Sequence, residues 1–113
     1  MHEYSIVASL VDRVQREVDA HPGAIVHRLH VRIGELAGVE IPLLRTAFET
    51  FRARTSCEVA ELAVVPVPAV WRCSACERTL PPGAVLRCCD RPARLEAGDD
   101  IFLDRIEMEV RDV

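Results

Sequence analysis

Four of the five cysteines in this 113-residue chain fall within one stretch, Cys73 to Cys89, while Cys57 stands apart. Cys73-Ser-Ala-Cys76 has the C-x2-C spacing that lets two thiolates reach one tetrahedral metal from a tight turn. Further on the chain reads Leu86-Arg87-Cys88-Cys89-Asp90, where a four-thiolate zinc site normally repeats C-x2-C. Zn–S bonds of about 2.3 Å place two sulfurs of a tetrahedron roughly 3.7 Å apart. Adjacent residues, about 3.8 Å apart at Cα, can present that separation if the backbone between them bends, at a cost in strain. The spacing leaves three readings open. All four cysteines bind zinc; three bind it and water, Asp90, Glu77 or a partner residue completes the site; or there is no metal and the thiols are reduced or paired. No histidine lies beyond His30, so a local imidazole ligand is excluded. Cys57 reads as a small buried residue at the start of a strand.

A second set of donors lies at the other end. The α-amine of Met1, the amide nitrogen of His2 and its imidazole can chelate one metal through fused small rings, with the amide of Glu3 to fill the plane. Deprotonated amides with imidazole favour square-planar Ni(II) or Cu(II). Spacing alone does not separate this from a solvated terminal histidine.

The elements that position these groups follow from periodicity. Ile6, Val7, Leu10, Val11, Val14 and Val18 recur at helical spacing over 5–20, and His21-Pro22-Gly23 stops the run. Residues 25–33 alternate as a half-buried strand, with Ile25, His27, Leu29, Val31 and Ile33 facing the core. His27 is therefore expected as a packed core histidine and His30 as a surface one. Gly34 to Gly38 form a loop in which Glu35 is a solvated acid. Glu40 follows, as a helix-capping or solvated acid that could also approach a metal at the N-terminus. Leu44, Ala47, Phe48 and Phe51 mark a helix over 42–54 with Pro42 in its first turn. A second strand covers about 58–65, with Ala60, Leu62 and Val64 on one face, ended by Pro66 and Pro68. A last strand spans 101–110. Ile101 and Leu103 share one phase and Ile106, Met108 and Val110 the other, which a bulge near Asp104-Arg105 would reconcile. The expectation is an α+β fold. A three-stranded sheet with two helices forms a domain from 1–68 and 99–113, interrupted by a small Cys-rich zinc-binding insert over 69–98. That insert is too poor in large apolar residues to hold together without a staple.

Beyond these sites, the chain resembles the HypA family, the nickel metallochaperones of [NiFe]-hydrogenase maturation. The resemblance is carried by Met1-His2-Glu3-Tyr4-Ser5-Ile6-Val7, Val31-Arg32-Ile33-Gly34-Glu35-Leu36, Ala47-Phe48-Glu49-Thr50-Phe51, Cys73-x2-Cys76, Gly98-Asp99-Asp100 and Ile106-Glu107-Met108-Glu109. It covers essentially the whole chain. It implies that His2 with the N-terminal backbone of Met1 binds transported Ni(II), that Glu3 tunes that site, and that the insert holds structural Zn(II) through Cys73, Cys76, Cys88 and Cys89. It also implies the GTPase HypB as a partner, a hydrogenase large subunit as destination and, for some relatives, urease maturation proteins. Family members usually carry C-x2-C in both halves of the zinc site, so Cys88-Cys89 is a departure, as if the two spacer residues were deleted.

Composition narrows the classes. The 14 basic residues, all arginine, against 18 acidic ones give a net charge of -4, which argues against general nucleic-acid binding. No apolar run approaches the ~20 residues of a membrane span. Met1-His2-Glu3 does not begin a signal peptide, so the expected location is cytoplasmic. No Ser/His/Asp set, paired-acid site or phosphate loop supports an enzyme. The rival reading is a zinc-ribbon interaction module for protein or nucleic acid without metal delivery, since Arg72, Arg78, Arg87, Arg91 and Arg94 outnumber Glu77, Asp90 and Glu96 in the insert. Trp71 alone makes a poor stacking platform. A thiol oxidoreductase would want the C-x2-C motif at a helix start.

Overall fold

The computed structural model describes residues 3–110. In chain order these form helix α1 (Glu3–Ala20), β1 (Ile25–Gly34), α2 (Ile41–Phe51), β2 (Glu61–Val67), β3 (Val70–Arg72), β4 (Thr79–Leu80), β5 (Arg87–Cys88), β6 (Arg91–Pro92), β7 (Arg94–Ala97) and β8 (Ile101–Glu109). The main sheet has the order β2-β1-β8. β1 runs parallel to β2, with α2 in the crossover, and antiparallel to β8. The architecture is the expected α+β layer of two helices on three strands.

Both helices bury their apolar stripes against one face of that sheet. Val7, Leu10, Val11 and Val14 of α1 and Leu44, Ala47 and Phe48 of α2 meet Val26, Leu29, Val31, Ile33 and Leu62 in a single core. On the opposite face β1 presents polar side chains. Arg28 reaches Glu61 at 3.0 Å, His30 reaches Glu107 at 3.0 Å and Arg32 reaches Asp104 at 3.4 Å. Exposed pairs add little stability singly, but placed across strands they favour one register.

Several boundaries differ from expectation. α2 stops at Phe51, and Arg54 (φ 63°) lies in the left-handed region just beyond it. Residues 55–59 then form turns that carry Cys57 into the core, fully buried. β2 accordingly begins three residues later than expected and runs through Pro66, which pairs with Ile33. A proline is tolerated there because β2 is an edge strand. That edge is covered by α2: the Arg45 guanidinium donates to the Leu62 carbonyl (2.7 Å) and that of Arg52 to the Ala60 carbonyl (2.6 Å), which blunts it against further pairing. Two bulges interrupt β1–β8. One skips Asp104, as the conflicting apolar phases required. The other skips His27, so Val26 turns inward and His27 outward. His27 is thus exposed beside Glu109 (3.6 Å), not packed in the core. His30, expected at the surface, is half-buried against Glu107.

The insert builds its own small sheets, β4-β3-β7 and the hairpin β5-β6. Of its side chains only Cys73 and Leu80 are buried, so it has almost no apolar core. The molecule is elongated, 62 × 30 × 16 Å with a radius of gyration of 18.0 Å, against about 13 Å for a compact domain of this length.

Candidate metal centre

All four clustered cysteines meet at one point, contributed by two turns. The first lies between β3 and β4. There the Cys73 amide donates to the Arg78 carbonyl (2.9 Å), the Glu77 amide to the Cys73 carbonyl (3.0 Å), and Glu77 is left-handed (φ 62°). Closing the turn this way points the amides of Ala75 and Cys76 at the Cys73 sulfur, 3.4 and 3.5 Å away. Those donors hold the Cys73 thiol down at about 6, which leaves a thiolate poised at neutral pH.

The second turn joins β5 to β6 through two residues, Cys89 and Asp90. Both have positive φ, 54° and 56°, the pattern of a type I′ hairpin turn. Such a turn favours Asn-Gly; here two residues with side chains occupy the left-handed positions, at a cost of about 1–2 kcal/mol each. The bend brings the sulfurs of adjacent Cys88 and Cys89 to 3.8 Å, and that of Cys88 to 3.8 Å from Cys76. The four sulfurs lie within 4.8 Å of one another. Crowded by the sulfurs of Cys73, Cys76 and Cys89, the Cys88 thiol is pushed up to about 12.

The donor set fits a tetrahedral ion that prefers soft ligands, with two of its edges at 3.8 Å, close to the roughly 3.7 Å expected for zinc thiolate. Separations of 3.8 Å are far from the ~2.05 Å of a disulfide, and all five cysteines are free thiols. Neither alternative fourth ligand belongs to the cluster among the described residues. Glu77 instead pairs with Arg94 at 3.1 Å. Nor is the C-x2-C motif at a helix start, as an oxidoreductase would require. Arg72 is likewise engaged, by Glu96 at 2.9 Å, and Arg87 donates to the Asp90 carbonyl at 2.9 Å, so three of the five insert arginines already have partners. Cys57 takes no part: burial pushes its thiol up.

At the other end of the chain, Met1 and His2 lie outside the described residues. Glu3 is buried in the first turn of α1, where a carboxylate suits the helix dipole. Glu40 is the N-cap residue of α2 but makes no capping bond with its side chain. One residue is more engaged than its sequence suggested: the Glu35 carboxylate accepts the Ala69 amide at 2.8 Å, across the junction with the insert. The one sequence signal was its place directly after Gly34, at the end of the central strand.

Fold and site together define a small α+β metal-binding protein, built from a helix-covered sheet that carries a four-cysteine insert. Residues 1–108 match the family model described as hydrogenase/urease nickel incorporation, metallochaperone, hypA. A hydrogenase maturation factor HypA of Shewanella halifaxensis is 36% identical over 116 residues, covering 96% of this chain and 98% of that relative. The solution structure of the Ni metallochaperone HypA from Helicobacter pylori aligns with a TM-score of 0.73 at 28% identity, covering 98% of this chain and 100% of that one. A second HypA solution structure aligns with a TM-score of 0.78 at 28% identity, covering 98% of each chain. The chain belongs to the HypA family of nickel-incorporation metallochaperones, which serve hydrogenase maturation.

Proposed function

We propose that this protein carries Ni(II) at its N-terminus, on the Met1 amine, the His2 amide and imidazole and the Glu3 backbone, and holds Zn(II) in the insert as a structural ion. The observation that carries the reading is the closure of the cysteine site by its own four sulfurs. A site with all four positions filled by the protein suits a resident ion, whereas a cargo ion needs a position open to an incoming ligand. The family match begins at residue 1 and so includes His2. Zinc in the insert would supply no catalysis; it would tie the two turns together in place of an apolar core. The protein acts as a carrier and not as an enzyme, in the cytoplasm, receiving or releasing nickel through contact with the GTPase HypB and a hydrogenase large subunit. The domain division at 68/69 and 98/99 separates the two metals. Amine and imidazole must lose protons before they bind, so nickel affinity falls below about pH 6.5, the free histidine value.

The test is elemental analysis of untagged protein, with and without added nickel, for wild type and His2→Ala. The expected result is loss of nickel at unchanged zinc content. Equal nickel stoichiometry in the variant would refute the site.

A further inference from the structure

All three strands of the main sheet meet the insert at one end. β1 stops at Gly34, β2 leaves at Val67 and β8 returns at Ile101. The loop after β1 lies between the outgoing and returning segments and bonds to both. Gly34 and Leu36 donate to the carbonyls of Asp100 (2.8 Å) and Gly98 (2.7 Å), and the Glu35 amide donates to that of Val67 (2.8 Å). The three backbones are stacked without room for side chains. A Cβ on Gly34 would lie 2.2 Å from the Gly98 carbonyl, and one on Gly98, itself at φ 103°, 2.6 Å from the Ala69 Cα. Against this stack the Glu35 carboxylate accepts the amide of Ala69 at 2.8 Å, one residue before β3.

The same end of the sheet faces the start of α1. Ser5, Ile6, Ser9 and Leu10 share one groove with Ile101 and Leu103. The orientation of the insert at this junction therefore sets its position relative to the first turn of the N-terminal helix.

We propose that Glu35 is a positioning residue: its carboxylate latches the first residues of the insert to the end of the main sheet and fixes the orientation of the four-cysteine unit relative to the N-terminal helix. The backbone bonds of the loop hold Val67, Asp100 and the last residue of the insert, Gly98, while the Glu35 carboxylate adds a side-chain bond to its first, Ala69. Its consequence for nickel rests on the function proposed above, because a carrier whose two metal units share one end presents both to the same partner in one geometry.

The experiment uses zinc-loaded, nickel-free protein, so it does not depend on whether His2 binds nickel. Amide exchange at Ala69 and residual dipolar couplings for the two sheets are compared in wild type, Glu35→Ala and Glu35→Gln. Loss of a charge-assisted bond is expected to speed Ala69 exchange by roughly tenfold or more in Glu35→Ala, and the two sheets should cease to share one alignment tensor while zinc content stays unchanged. Glu35→Gln keeps an acceptor oxygen and should restore the shared tensor, which general loosening of the fold would not do. An unaltered tensor and Ala69 exchange in Glu35→Ala, or a Glu35→Gln protein that behaves like Glu35→Ala, would overturn the assignment.

Discussion

Gly34→Ala should be among the most damaging small substitutions in this chain, although it adds only one methyl group and Gly34 does not occupy the left-handed region. The cost is steric. The new carbon would sit 2.2 Å from both the carbonyl carbon and oxygen of Gly98 and 2.7 Å from the Asp99 nitrogen. These are backbone atoms and cannot rotate aside, so the returning segment must retreat by about 1 Å to reach an acceptable contact. Two hydrogen bonds cross that gap, Gly34 to Asp100 at 2.8 Å and Leu36 to Gly98 at 2.7 Å. A retreat of that size carries both beyond hydrogen-bonding range. At about 1–1.5 kcal/mol for each bond lost, the substitution costs about 2–3 kcal/mol, or roughly a 10 °C fall in melting temperature for a chain of this size. Urea unfolding of zinc-loaded protein followed by circular dichroism measures it, with zinc content checked in parallel. A Gly34→Ala protein within about 0.5 kcal/mol of wild type would show that the strand ends do not stack as described.

Two further tests address the hairpin turn and the polar sheet face. Asp90→Gly removes a side chain from a left-handed position (φ 56°) in the turn that presents Cys88 and Cys89; with about 1 kcal/mol of strain relieved and part of it returned as glycine's chain freedom, chelator competition should show zinc bound roughly threefold more tightly, and weaker binding would contradict the strain argument. Glu107 is held below the usual carboxylate range, chiefly by its hydrogen bond with His30 and also by the charges of His30, Arg105 and Arg28. A depressed carboxyl stabilises the fold above its unfolded value of about 4.3 and loses that contribution as pH falls through the lower folded value. The difference in melting temperature between wild type and Glu107→Gln should therefore shrink as pH falls from about 4.3 through the lower folded value; a difference that grows over that range would contradict the sign.

What could be read from the residues, and what could not, divides by whether side chains carry the constraint. The bulge at Asp104 was legible because Ile101 and Leu103 conflict in phase with Ile106 and Met108, and only an extra residue lets all four face the core. The bulge at His27 left no such trace. Ile25 and Val26 are both apolar, so either phase looked acceptable, and the histidine was placed on the wrong face. The geometry of Cys88 and Cys89 was legible because metal–sulfur distances leave adjacent thiolates one option, a bent backbone, and the two positive φ values at Cys89 and Asp90 are that bend. The junction was not legible, for the opposite reason. It consists of main-chain groups at Gly34, Val67, Ala69 and Gly98, separated by more than thirty residues between the first pair, and glycine shows only that something comes close. Glu35 read as a solvated acid because its partner is an amide, which every residue but proline possesses. The same reasoning explains why an irregular cysteine pair is compatible with the overall shape shared with the HypA solution structures. The adjacent Cys88 and Cys89 are accommodated by the two-residue turn of the β5–β6 hairpin, while the junction that aims the insert is built from backbone contacts and one carboxylate at the far end of it. A change in how the sulfurs are presented therefore need not alter where the insert points.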